Sequence, residues 1–254
     1  MLKTYKKLLP YAVGVGVLLL VAYFCRYAIL SLADYTENPA LLVTVLAAVR
    51  NIIHVSLLSA WYISLQNRIV HKQIKQLLSG VAVMMVLWVL VRTVKWEFVV
   101  SYEEPLVRYL WDAFYVPMIL IPLLGVYIVH LMGKPEGYKL PKVFYLLLIP
   151  ATVLITVVFT NDYHRLVFDF PNGIKYFDAD YTYNFMFFVV CGWFVILGLY
   201  FVLMLLKKSR VPGSKAFKSL PLIIMIASIV FWISYALGII ESDLTTVDCI
   251  MITL

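Results

Sequence analysis

Long apolar runs alternate with short polar loops along the whole chain. A membrane-crossing helix needs about 20 mostly apolar residues at 1.5 Å each. Seven segments meet that length, with approximate limits 10–32, 40–65, 77–98, 106–132, 143–160, 184–206 and 219–240. A further apolar start, "TTVDCIMITL", occupies 245–254. The pattern predicts an all-α integral membrane protein, a seven-transmembrane helix bundle with the start of an eighth helix. Ten helical residues cover about 15 Å, half of a hydrocarbon core. The expectation is therefore a truncated C-terminus, residues 1–254 forming one transmembrane domain with a cytoplasmic output beyond 254. The longest polar interruption, 161–183, carries aromatics, acids and a Pro171-Asn172-Gly173 turn. It predicts a short hairpin or folded lid.

Composition agrees with the pattern. Hydrophobic residues make up 63% and charged residues 14%, against about 25% charged in soluble domains. The net charge of +7 could suit nucleic acid, but the cations sit in short loops between apolar runs, where a bilayer accounts for them. They also alternate. Lys3, Lys6 and Lys7, then Arg68, Lys72 and Lys75, then Lys134, Lys139 and Lys142, then Lys207, Lys208, Arg210, Lys215 and Lys218 occupy every second loop. Acids fill the others, from Asp34 and Glu37 to Glu241 and Asp243. Positive loops stay inside, which predicts a multi-pass membrane protein with a cytoplasmic N-terminus. The basic, then apolar start of the chain has the outline of a signal peptide, with Ser31-Leu32-Ala33 as a cleavable stretch. Its apolar run is long enough to span, which favours an uncleaved first helix.

Charges inside the apolar runs are the candidate chemistry. Arg26, Arg92 and Asp112 lie roughly 8–10 Å below the outer boundary, and Arg50 roughly 15 Å down. His54 is a weaker fifth case. Such groups cost several kcal/mol when unpaired, and they face a bundle interior or a wet cavity. Three arginines against one aspartate leave two positive charges in excess. One reading is an outward cavity whose cationic floor takes an anionic small ligand or peptide, because arginine suits a carboxylate. The other is a structural pair of Asp112 with Arg92 or Arg26, the remaining cations reaching carbonyls or the interface. Pro117 and Pro122 follow Asp112 and predict kinks that open space or allow a switch. Tyr115 is one turn from Asp112, which makes it the aromatic candidate. Trp96, Trp111, Tyr102 and Tyr109 fit an interfacial belt.

Several chemistries lack their residues. There is no HExxH, no GxSxG and no P-loop, and helix 219–240 has no lysine for a retinal Schiff base. Cys25, Cys191 and Cys249, and His54, His71, His130 and His164, show no metal-ligand spacing. No catalytic residue, metal site or cofactor is expected, so whether the protein is an enzyme rests on parts outside these residues.

The stretch "RYLWDAFYVPMILIPLLGVYIVHLMGKPEGYKLPK", then "LLLIPATVLITVVFTNDYHRLVFDFP", resembles the N-terminal seven-transmembrane sensor region of bacterial histidine kinases, closest to versions in Firmicutes. Tyr115, Pro117 and Pro122-Leu123-Leu124 carry the likeness, and Thr160-Asn161-Asp162-Tyr163-His164 carries it most strongly, since Asn161 and His164 match a Thr-Asn-x-x-His pattern. The resemblance implies a membrane-embedded input module of a two-component system. It would sense a signal in its outer half and relay a helix movement to a cytoplasmic histidine kinase or related output. Asp112 departs from the uncharged, often aromatic residue expected there. Asn161 and His164 read either as ligand groups or as a helix cap. The partners implied are the lipid bilayer, an extracellular anionic ligand or peptide, and optionally a second copy in a homodimer, with no nucleic acid. A small transporter of an organic anion is the alternative function, and a purely structural membrane subunit a third.

Overall fold

The computed structural model describes residues 2–35, 40–69, 71–94, 105–171 and 181–208, with the single helical positions 226, 230 and 234. The helices are α1 (Leu2–Tyr35), α2 (Ala40–Arg68), α3 (Lys72–Thr93), α4 (Pro105–Ala113), α5 (Tyr115–Leu131), α6 (Lys142–Tyr145), α7 (Leu148–Phe159), α8 (Asn161–His164) and α9 (Phe185–Lys208). Two short strands, β1 (Phe168–Asp169) and β2 (Thr182–Tyr183), pair antiparallel with Phe168 opposite Tyr183. The hairpin expected within 161–183 is therefore present. Five helical stretches among the described residues are long and apolar enough to cross a membrane: Leu42–Asn67, Lys72–Thr93, Arg108–Leu131, Lys142–Phe159 and Phe185–Lys208. In hydrocarbon every backbone polar group must be satisfied within the protein, and the helix does this residue by residue. The segment 219–240, apart from those three positions, and the eighth start at 245–254 lie outside the described residues.

Two expected single helices are each divided, and prolines explain both divisions. The run 106–132 breaks at Phe114 into α4 and α5. Pro117 has no N–H to offer the carbonyl of Ala113. The chain tightens there, and the Phe114 N–H is shared between the carbonyls of Leu110 and Trp111 at 3.2 Å each. The run 143–160 divides before Pro150. The N–H groups of Leu146, Leu147 and Ile149 bond three residues back, at 3.2, 3.2 and 3.1 Å, which is a 3₁₀ pattern. The carbonyl of Phe144, which already accepts the Leu147 N–H, also accepts the Tyr127 hydroxyl at 3.0 Å.

α5 is the central strut. Within the span Arg108–Leu131, 67% of the most apolar window is buried, against 17–28% in the other four. It packs on α3, α7 and α9. Its pairing with α9 is fastened at three levels. Near the hairpin end, Trp193 Nε1 donates to the Ile119 carbonyl at 3.1 Å, in the turn that Pro122 disturbs. In the middle, Gly125 lets the Phe201 ring approach, since a Cβ there would meet it at 3.3 Å. At the far end, Lys208 Nζ donates to the carbonyls of Val129 and His130 at 2.7 and 3.2 Å. These close the C-terminus of α5, where a cation also complements the helix dipole. The Tyr200 hydroxyl bonds His130 Nε2 at 3.0 Å, while His130 Nδ1 donates to the Val126 carbonyl at 3.0 Å.

Candidate functional site

The hairpin lies across one end of the bundle and buries Phe168 completely. That ring sits 5.3 Å from Tyr115, 5.9 Å from Trp111 and 6.0 Å from Phe187, centroid to centroid. A single side chain from β1 thus joins α4, α5 and α9. Tyr181 packs edge-on against Trp111 at 5.1 Å, and Tyr183 stacks on Phe187 at 3.9 Å. The hairpin is also bonded into α9: the Asn184 and Met186 N–H groups donate to the carbonyls of Val167 and Leu166, at 2.9 and 3.0 Å. Any displacement of the hairpin therefore pulls on the first turn of α9.

Asn161 holds this lid from below. Its Oδ1 accepts the N–H groups of Val167 and Phe168 at 2.9 and 3.1 Å, and its Nδ2 donates to the Phe168 carbonyl at 3.0 Å. Only 4% of the residue is exposed, so the amide replaces the backbone partners that β1 lacks on that edge. The left-handed residue that ends α8 is Arg165, with φ 52°. His164 uses both ring nitrogens. Its Nδ1 accepts the Leu166 N–H at 3.0 Å, which places the proton on Nε2, 3.2 Å from Thr160 Oγ1. That hydroxyl in turn donates to the Thr156 carbonyl at 2.7 Å.

Beneath the lid, Asp112 is 5% exposed and Tyr115 is 7% exposed. The charges acting on the Asp112 carboxylate are Asp162 and Arg108. Arg108 forms an ion pair with Asp162, tying α4 to α8. Arg108 precedes Asp112 by one helical turn, on the same face. Four of the candidates named from the sequence, Asp112, Tyr115, Asn161 and His164, thus gather at the hairpin end, together with Arg108 and Asp162, which sequence reasoning did not single out. The four-residue spacing of Arg108 and Asp112 was the available signal.

The arginine candidates lie elsewhere. Arg50 is buried on α2, as is His54 one turn on and Asn51 beside them, so α2 turns a polar stripe into the bundle. Arg92 is half-buried in the last turn of α3. Arg50, His54 and Arg92 all have partners in the structure. The side chain of Arg26 lies outside the described residues. Among the described residues, no group of three or more His, Cys, Asp or Glu is placed to hold a metal ion.

Compared with known proteins, residues 45–254 match the family model described as "N-terminal 7TM region of histidine kinase". No curated protein and no solved structure matches the chain.

Proposed function

The chain belongs to the family of N-terminal 7TM regions of histidine kinases, a multi-pass membrane region, and from that premise we propose that it is the signal-sensing input domain. It reads an anionic small ligand or peptide arriving on the hairpin side of a bacterial plasma membrane, with the N-terminus in the cytoplasm. The observation that carries this reading is the buried Asp112 beside the half-buried pair of Arg108 and Asp162, under a lid bonded directly to α9. A lid of that kind couples what happens at one face to the helix that runs to the other. The α5–α9 pair, fastened from Trp193 to Lys208, is the strut along which the movement travels to a kinase output. Arg108 and Asp162 neutralise each other, and the composition of the apolar segments, Arg26, Arg50 and Arg92 against Asp112, is what favours an anion over a cation as the ligand.

Trp88 and Trp111 supply a probe, since both pack against the site; Trp88 is 5.1 Å from Phe114. Titrating the protein in nanodiscs with carboxylates, phosphates and acidic peptides should give a saturable change in tryptophan emission for one of them. Arg50→Gln and Arg92→Gln should each weaken that binding about tenfold. Binding of cations only would sink the anion assignment. Accumulation of the same labelled anion inside sealed vesicles would instead make the protein a transporter.

His164→Ala should weaken the response while leaving membrane insertion intact. It removes the acceptor of the Leu166 N–H at the foot of the hairpin, but no residue of the strut. A dose–response curve superimposable on the wild type would count against a role for this ring.

A further inference from the structure

At the end of the bundle away from the hairpin, α5, α6 and α9 meet around one ring. His130 of α5 lies 3.9 Å from the Phe144 ring of α6 and is stacked on Tyr200 of α9 at 5.6 Å, centroid to centroid. A lysine comes to this point from each side. Lys142 stands two residues before Phe144, and Lys134 follows His130 by four. Lys207 follows Tyr200 by seven, two helical turns on along the same face. All three are exposed. Lys208 lies among them, with its Nζ on the α5 carbonyls and Lys134 as the charge that acts on it. The only acid of the loop 132–141 is Glu136. Among the described residues, neither Glu136 nor any other carboxylate pairs with these four lysines.

An apolar track leads from the lysines into the membrane. The first two turns of α7 carry an open groove of about 310 Å³, lined by Leu148, Ile149, Thr152 and Val153. Ile149 is 62% exposed and Val153 52% exposed, so the groove faces away from the described bundle. The eleven residues from Lys142 to Val153 cover roughly 16 Å of helix, about the hydrocarbon depth of one leaflet.

We propose that this end of the bundle binds one anionic phospholipid, its phosphate among Lys134, Lys142 and Lys207 and an acyl chain along the α7 groove. The charge selects the headgroup. An anionic lipid neutralises the cluster, whereas a zwitterionic one brings a further cation among four. The groove selects a lipid over a free phosphate. It lies within the span Lys142–Phe159, where a chain packs against it and a free ion does not enter. The lipid would regulate the strut, because Lys208 is its clasp and a phosphate beside that ammonium competes with the carbonyls of Val129 and His130. Binding here is independent of what the hairpin end senses.

The test is native mass spectrometry of the full chain, released from vesicles of phosphatidylglycerol and phosphatidylcholine with identical acyl chains. The expected result is one retained phosphatidylglycerol, preferred over phosphatidylcholine about tenfold. The triple variant Lys134→Gln, Lys142→Gln, Lys207→Gln should lose the preference. Its thermal midpoint in phosphatidylcholine nanodiscs should match the wild type, since none of the three fastens the strut. Ile149→Trp fills the groove with every lysine in place, and it should also lower retention. Soluble glycerol phosphate should not displace the lipid. Equal retention of both lipids by the wild type, a preference that the triple variant keeps, or retention that Ile149→Trp leaves unchanged overturns the proposal. Displacement by glycerol phosphate overturns it too, leaving a phosphate site that takes no lipid chain.

Discussion

Replacing Asn161 by alanine should unseat the hairpin and lower the stability of the domain by about 3 kcal/mol or more. The side chain satisfies two buried N–H groups and one carbonyl, all on Val167 and Phe168, which are completely buried. Alanine leaves all three without partners, and each unmet buried group costs about 1–3 kcal/mol. The loss does not stop at the turn. Phe168 is the ring shared by Trp111, Tyr115 and Phe187, so freeing its backbone loosens α4, α5 and α9 together. Hydrogen exchange at the Val167 and Phe168 amides should rise sharply, and the thermal midpoint in nanodiscs should fall. Asn161→Asp keeps the acceptor for both amides and loses only the donor, so it should fall between alanine and wild type. Amides that exchange as slowly in the alanine variant as in the wild type would show that the hairpin is held by its aromatics alone.

The second large effect is expected at Arg108. Arg108→Ala removes the cation that pairs with Asp162 and stands one helical turn from the buried Asp112. Breaking a buried pair from one side costs about 3–5 kcal/mol, and the side chains of this pair retain 27% and 22% exposure. Screening reduces the figure to about 2 kcal/mol. Removing both partners, as Arg108→Ala with Asp162→Asn, should recover at least half of the loss, because the surviving carboxylate then has no repelling neighbour. Thermal unfolding of the single and double variants closes the cycle. Additive losses would mean that the two residues act separately and that α4 is not tied to α8.

Five of the seven expected spans fall on long apolar helices among the described residues, and the break at Pro117 was expected while the one at Pro150 was not singled out. Hydropathy records which segments lie in lipid, and proline records where a helix cannot continue. Pro117 and Pro150 mark both divisions. The hairpin, too, was foreshadowed by the Pro-Asn-Gly turn and the aromatic run around it. The charge network was only half legible. Counter-ions for Asp112 were sought on distant helices, yet Arg108 stands one turn away on its own helix, a spacing visible in the sequence. Asp162 was out of reach, because its approach to Arg108 depends on how α7 packs beside α4. The Thr-Asn-x-x-His pattern located Asn161 and His164 without saying what they do. An amide that ligates and an amide that braces a strand look alike until the strand is placed.

The measurement that tests the central claim most directly uses Tyr163, at the foot of the hairpin and 91% exposed. The full-length protein carrying Tyr163→Cys is placed in sealed, right-side-out vesicles and treated with a bulky, membrane-impermeant maleimide, and the autophosphorylation that the proposed kinase output would give is followed before and after. The account predicts labelling without opening the vesicles and a change in phosphorylation that the wild type, treated alike, does not show. Labelling only after the vesicles are permeabilised, or full labelling with output unchanged, would contradict it.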